Sequence, residues 1–272
     1  MIGGAMGAKH FRVDDPDSFD LDDVDPDDIA GGPSSKEDAR DESEAMHERL
    51  AELQELLFAE HEHRLLVILQ GMDTSGKDGT VRHVLRGISP ASVRVVSFKK
   101  PTQTELDHDY LWRIHPHIPG KGEIVIFNRS QYEDVLVVRV HNYVPPEQWK
   151  KRYDQINDFE RMLAENGTTV LKFFLHISRK EQAERLQARL DDPTKRWKFQ
   201  HGDLEERKLW DDYQKAYQDV VRKTSTQWAP WYVVPANRKW FRDYVVADVI
   251  IKTLEKLDMQ WPQPDVSAER VE

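Results

Sequence analysis

The sequence contains no cysteine among its 272 residues. That excludes a disulfide framework and thiolate catalysis. It also lacks any apolar run approaching a membrane span, and its first residues lack the apolar core of a signal peptide. A soluble, cytoplasmic protein with no membrane partner is expected. Positive charge is not in excess: the formal net charge is −10. Residues 1–42 carry 13 acidic and 4 basic side chains, which leaves about −1 for residues 43–272. The body is thus near neutral, which argues against a general nucleic-acid coat but leaves room for a local basic channel. No internal repeat is present.

What is present is centred on LLVILQGMDTSGKDGT, residues 65–80. The unbroken apolar run Leu65 to Leu69 predicts a strand buried on both faces. A glycine-punctuated turn from Gly71 to Gly79 follows. Val81, Val84, Leu85 and Ile88 then fall on one helical stripe. Strand, glycine loop with lysine, and helix make up a phosphate-binding loop. Glycines let the backbone of Gly71, Thr74, Ser75, Gly76 and Gly79 wrap an oxyanion and aim N–H groups at it. The helix N-terminus adds a favourable dipole, and Lys77 supplies a point charge. The usual Ser or Thr after the lysine, whose hydroxyl holds magnesium, is missing; Asp78 stands there. Asp73, inside the loop, is an alternative anchor for magnesium (Mg2+), a hard cation that takes one or two carboxylates plus phosphate oxygens. The plainer alternative is a glycine-rich turn with a surface lysine.

Taken in order, residues 1–33 are too acidic and too poor in apolar residues to fold alone, and predict a flexible arm, docking through Phe11, Phe19 and Leu21. The D-x-D-x-D-G spacing of a calcium loop is absent from it. Ser34 or Ser35 caps a helix to about His61. Val93 to Phe98 reads as a second strand, with Lys99 and Lys100 just beyond its end, where open α/β sheets bind ligands. Thr104 to Ile114 predicts a short helix. His108, His115 and His117 read as loop residues rather than a metal cluster. Ile124 to Phe127 is a third strand, tipped by Asn128 where an acidic residue would order magnesium. Glu133, five residues on, could restore that carboxylate, and Arg129 could touch phosphate oxygens. Arg139 faces the same cleft or makes a surface salt bridge. A long helix covers residues 145–165, a fourth strand Val170 to Leu175, and a capped helix Ser178 to Leu190. That helix turns Ala183, Leu186 and Leu190 inward and places Arg185 and Arg189 on one face. Lys195, Arg196 and Lys198 surround Trp197, a cluster suited to gripping a polyanion or lying as a solvated turn. Asp203 caps a helix to about Lys223, Trp231 to Val234 forms a fifth strand, and a final amphipathic helix precedes a frayed tail.

Apolar strands alternating with helices predict a three-layer α/β domain with a mainly parallel five-stranded sheet flanked by helices. Its boundaries are 34–262, with a tail at 263–272. The basic segment, about 189–208, would form a helical lid over phosphates.

Taken together, GMDTSGKDGT, YLWRIHPHIPGKGEIVIFNRSQYEDVLVVRVH and RLDDPTKRWKF resemble the polyphosphate kinase 2 family, over about residues 40–260. The resemblance implies a P-loop kinase fold similar to nucleoside monophosphate kinases, a homo-oligomer (dimer or tetramer), and magnesium-dependent transfer of the terminal phosphoryl of inorganic polyphosphate to a nucleotide. It implies that Asp73 binds magnesium and orients the acceptor, and that Lys77, Arg189 and Lys198 contact phosphates. Asn128, where other members carry Asp, resembles the subgroup that accepts AMP as well as ADP, with Glu133 as a further metal residue. Arg129 would share the neutralisation of phosphate charge with Lys77 and Arg189. Rival readings are an ATP-dependent nucleoside monophosphate kinase, a nucleotide-dependent switch, and a single-strand nucleic-acid binder using Trp197. The switch would want an N-K-x-D motif, which Asn237-Arg238-Lys239-Trp240 does not supply.

Overall fold

Four of the five apolar runs that mark strands in the sequence are buried on both faces, inside a sheet covered from two sides, while the valine-rich run from Val93 is an edge and leaves Val95 exposed. The computed structural model describes residues 8–263. Its strands are Arg64–Gln70 (β1), Val93–Ser97 (β2), Ile124–Asn128 (β3), Thr168–His176 (β4) and Trp231–Pro235 (β5). They form one sheet in the order β2-β3-β1-β4-β5, every pairing parallel. β1 is central, and Leu65, Leu66 and Ile68 are inaccessible to solvent. Register fixes the site: Leu69 pairs with Asn128 and Gln70 with Phe174, so the turns leaving β1 and β3 emerge side by side.

The helices are Lys36–Glu60 (α1), Lys77–Val84 (α2), Gln103–Leu106 (α3), Val137–Val140 (α4), Pro146–Glu165 (α5), Arg179–Asp191 (α6), His201–Lys208 (α7), Trp210–Thr224 (α8) and Lys239–Glu255 (α9). One group, α1, α2 and α9, packs together, as does a second, α4, α5 and α8. This is the three-layer parallel α/β architecture expected. Of the two serines before α1, Ser35 is the cap, accepting from Asp38 N, and His61 closes the helix in the left-handed region at φ 58°.

Two expected helices differ. The helix expected over Thr104 to Ile114 stops at Leu106. Asp109 then accepts from the backbone N–H groups of Leu111 and Trp112, a local side-chain bond that competes with the helix ladder. The helix expected from Asp203 to Lys223 is two helices, α7 and α8, joined at Leu209. Asp203 is not the cap; it lies inside the first turn and accepts from Gln200 N at 3.2 Å.

The acidic head, over residues 8–32, is laid against β5 and α9 rather than free. Phe11 and Leu21 are buried and Phe19 packs beside them. Arg12 bridges Tyr232, and Val13 N donates to Trp231 O at 2.9 Å. Composition argues against folding alone; here Phe11 gains Phe241 as an edge-to-face partner. Residues 1–7 of the arm, and the tail from 264 onward, lie outside the described residues.

Candidate active site

The loop between β1 and α2 is held by its carbonyls. Lys77 Nζ donates to Gly71 O (2.7 Å) and Met72 O (3.3 Å). Gln182, on α6, donates to Asp73 O at 3.2 Å. Arg185, also on α6, donates to Thr74 O (2.9 Å) and Ser75 O (3.0 Å), and Arg242 on α9 adds a bond to Ser75 O (3.1 Å). Five consecutive carbonyls are thus drawn to side-chain donors. A trans peptide is planar, so each carbonyl fixed on one side turns the following N–H to the other. Ser75 N–H is used inside the turn, on Met72 O at 3.0 Å; the other loop amides are turned away from the bonded carbonyls and lead into the first turn of α2, whose N-cap Gly76 offers no side-chain acceptor.

Local conformation supports a built site. Gly76 sits at φ 106°, and a Cβ there would collide with the Arg242 guanidinium. Two residues that are not glycine also occupy the left-handed region: Thr74 at φ 67° and Arg129 at φ 65°. For a β-branched residue this conformation is rare, and each instance costs of order 1–3 kcal/mol, held by its surroundings. The buried hydroxyls of Thr74 and Ser75 have no protein partner among the described residues. Unpaired donors beside inward amides fit an oxyanion.

The charged groups meet above this cradle. Arg129 lies between two carboxylates, donating to Asp73 Oδ1 at 2.7 Å and Glu133 Oε2 at 3.3 Å. Its guanidinium is held more firmly protonated than usual, first by Glu133. Asn128 donates to Asp78 Oδ1 at 2.6 Å, across the gap between β3 and α2. Lys77 is buried, and burial with the nearby Arg129 cation lowers its pKa to about 8. Tyr217, buried on α8, faces Glu133, Arg129 and Asp73. Arg189 reaches Asp203 at 3.9 Å, and Asp203 is in turn influenced by Asp73 and Arg129, so the first turn of α7 stands across the cleft.

Asp73, Lys77, Asp78, Asn128, Arg129 and Glu133 are therefore brought together at the ends of β1 and β3. Lys195, Arg196 and Lys198 are not part of that cluster. They lie in the segment between α6 and α7, around an exposed Trp197. Arg139 does not reach the loop; it pairs with Asp219 at 2.7 Å and covers Trp149, which is the salt-bridge alternative. Of the three α6 side chains expected to point inward, Leu186 is buried, whereas Ala183 and Leu190 are half-buried; Gln182 and Arg185 fill the rest of that face. Arg185, Gln182 and Arg242 were not visible as site residues. The one local signal was an arginine on the inward stripe of an otherwise charged helix.

A central parallel strand, a phosphate loop, and cations gathered at the carboxyl end of the sheet define a P-loop phosphotransferase architecture. The sequence model of the family described as polyphosphate kinase 2 matches residues 33–262. The AMP/ADP-polyphosphate phosphotransferase of Meiothermus ruber is 56% identical over 263 residues, covering 97% of this chain and 98% of that protein. The ADP-polyphosphate phosphotransferase of Rhodopseudomonas palustris is 45% identical, covering 94% and 92%. The crystal structure of polyphosphate kinase 2 from Arthrobacter aurescens TC1 superposes with a TM-score of 0.95 at 46% identity, covering 98% of this chain and 95% of that one. The chain belongs to the polyphosphate kinase 2 family. Among the described residues no helix is long and apolar enough to cross a membrane.

Proposed function

We propose that this protein transfers the terminal phosphoryl group of inorganic polyphosphate to AMP and ADP, with magnesium. The observation that carries the proposal is the loop itself: five carbonyls held by side-chain donors, two unpaired hydroxyls within, Lys77 buried beneath and Arg129 beside Asp73. Phosphoryl transfer asks little covalent work of a protein; it needs in-line positioning and neutralised charge. Backbone amides and the Thr74 and Ser75 hydroxyls hold phosphate oxygens. Lys77 and Arg129 offset their charge, and Arg189, Lys195, Arg196 and Lys198 extend the cationic surface along the chain of phosphates.

The donor set suits magnesium without a full protein cage. Among the described residues no group of three metal-binding side chains is assembled. Arg129 takes one oxygen each of Asp73 and Glu133. Asp73 and Glu133 would hold the metal, completed by phosphate oxygens and water; Asn128 would contribute only a neutral oxygen. Held there, the ion would act as a Lewis acid and offset charge that develops on the transferred phosphoryl. Acceptance of AMP as well as ADP is supported by Asn128 at the tip of β3 and by the name of the Meiothermus ruber relative.

The test is a nucleotide panel incubated with polyphosphate and magnesium, without ATP, and resolved by chromatography. ADP and ATP should form from AMP. Transfer only when ATP is the donor would replace this proposal with an ATP-dependent nucleoside monophosphate kinase.

A further inference from the structure

A charged pair lies under the site, in the core. Lys172, in the middle of β4, and Glu160, on α5, are both inaccessible to solvent and 2.6 Å apart. Desolvating two charges offsets most of their attraction, and well-packed apolar replacements of such pairs are often equally stable. Stability is therefore a poor reason for this pair; a fixed geometry is a better one.

The geometry is specific. Lys172 Nζ has three donors and meets three acceptors: Glu160 Oε2, the Tyr132 hydroxyl at 2.9 Å, and Thr224 O at 2.6 Å. Glu160 Oε1 accepts from the Tyr132 hydroxyl (2.7 Å) and Gln131 Nε2 (3.1 Å). Gln131 and Tyr132 belong to the short 3-10 turn Gln131–Asp134 that carries Glu133 and directly follows the strained Arg129. Thr224 O is the carbonyl at the C-terminal end of α8, whose Tyr213 hydroxyl bonds Glu206 of α7 at 2.7 Å.

We infer that Lys172 and Glu160 are positioning residues for phosphoryl transfer: their buried ion pair anchors the turn after β3 from below, fixes Arg129 and Glu133 at the phosphate loop, and ties that turn to the end of α8. The inference rests on the proposed transfer reaction, in which Arg129 touches phosphate. Nothing in the pair reaches the cleft, so its effect must pass through Arg129 and Glu133.

The test uses the full chain carrying Lys172→Met with Glu160→Leu, and separately Tyr132→Phe, each with and without Arg129→Ala. The paired replacement also strips partners from the Tyr132 hydroxyl, Gln131 Nε2 and Thr224 O, so it should melt about 5–15 °C below wild type while staying folded at the assay temperature. Its kcat should fall about 10–100-fold, with KM for AMP within about twofold, as expected when a transition-state contact is misplaced. Tyr132→Phe, which keeps the charges and removes one link, should lower kcat about three- to tenfold. Adding Arg129→Ala to either should cost clearly less than the product of the two separate losses, because both act through Arg129. A folded paired variant with wild-type kcat overturns the inference, as does a loss that multiplies with that of Arg129→Ala. So does a paired variant that fails to fold while Tyr132→Phe turns over normally. If wild-type protein transfers no phosphoryl group, the proposed reaction has failed by itself. Equilibrium binding of polyphosphate then reads the pair: weaker, non-additive binding supports it, and unchanged binding overturns it.

Discussion

The phosphate loop and the basic segment between α6 and α7, the proposed lid, both carry cations but are held in opposite ways. Each loop carbonyl from Asp73 to Ser75 is bonded by a side chain more than 100 positions away in sequence. In the lid, Lys195 pairs with Asp192, Arg196 donates to Leu190 O, and Trp197 donates to Thr194 O, all within six residues. The loop is thus braced from distant elements, while residues 190–198 are tied by near neighbours; further along, Arg207 and Glu206 fasten α7 to α6 and α8. A site that must present fixed dipoles needs the first kind of support. A cover that admits and releases a long polyanion is drawn from the weakly tied end of the fold.

The comparison can be broken at its strong side first. Lys77→Ala should lower polyphosphate-dependent phosphorylation of AMP by about two to three orders of magnitude while the circular dichroism spectrum is retained. Asp73→Asn should do the same in the magnesium-supported assay, by loss of the anchoring carboxylate. Arg185→Met comes next. It strips donors from Thr74 O, Ser75 O, Ala236 O and Asn237 O. Denaturant unfolding should show a loss of about 2–4 kcal/mol, with turnover down about 10–100-fold.

A third test uses pH. Lys77 in the folded protein titrates near 8, below the usual lysine value of 10.5. Between these values the unfolded chain holds the proton and the folded one has released it, so stability should rise with pH through that window. The cost of the buried charge is present in full below pH 8. Polyphosphate favours the charged lysine, so its affinity should fall above pH 8, by up to about tenfold per unit. Calorimetric titration should show a steeper rise in wild type than in Lys77→Met, which keeps the contributions of Lys172 and Lys239. The smallest effect belongs to the lid. Lys198→Ala should change stability by less than about 0.5 kcal/mol and weaken polyphosphate binding only about two- to fivefold, with a reduced salt dependence. A lid substitution that destabilises the fold as much as Arg185→Met would erase the distinction.

The same contrast explains what could be read from the sequence. The strands, the loop and the parallel α/β arrangement are written in local patterns: an apolar run, spaced glycines, a stripe of period 3.6. Asp73, Lys77, Asn128, Arg129 and Glu133 come together because register sets β1 beside β3. The braces were not legible. Arg185 and Arg242 reach the loop across 111 and 167 positions, and apart from the place of Arg185 on the inward stripe of α6 nothing local separates them from solvated arginines. The early end of α3 has a local cause instead: Asp109 takes backbone groups that propensity assigns to a helix. The acidic head docks through the apolar side chains its sequence singles out, Phe11, Phe19 and Leu21, but its partners, Phe241 and Trp231, lie at the other end of the chain and could not be named.

The account stands on loop amides that face inward because the loop carbonyls are tied outward. A crystal structure with polyphosphate and magnesium tests it most directly. Phosphate oxygens should lie within hydrogen-bond distance of the backbone N–H groups between Thr74 and Asp78, with Lys77 turned onto phosphate and the Arg185 and Gln182 bonds intact. Polyphosphate seated only along the lid, with the loop free of phosphate, would contradict it.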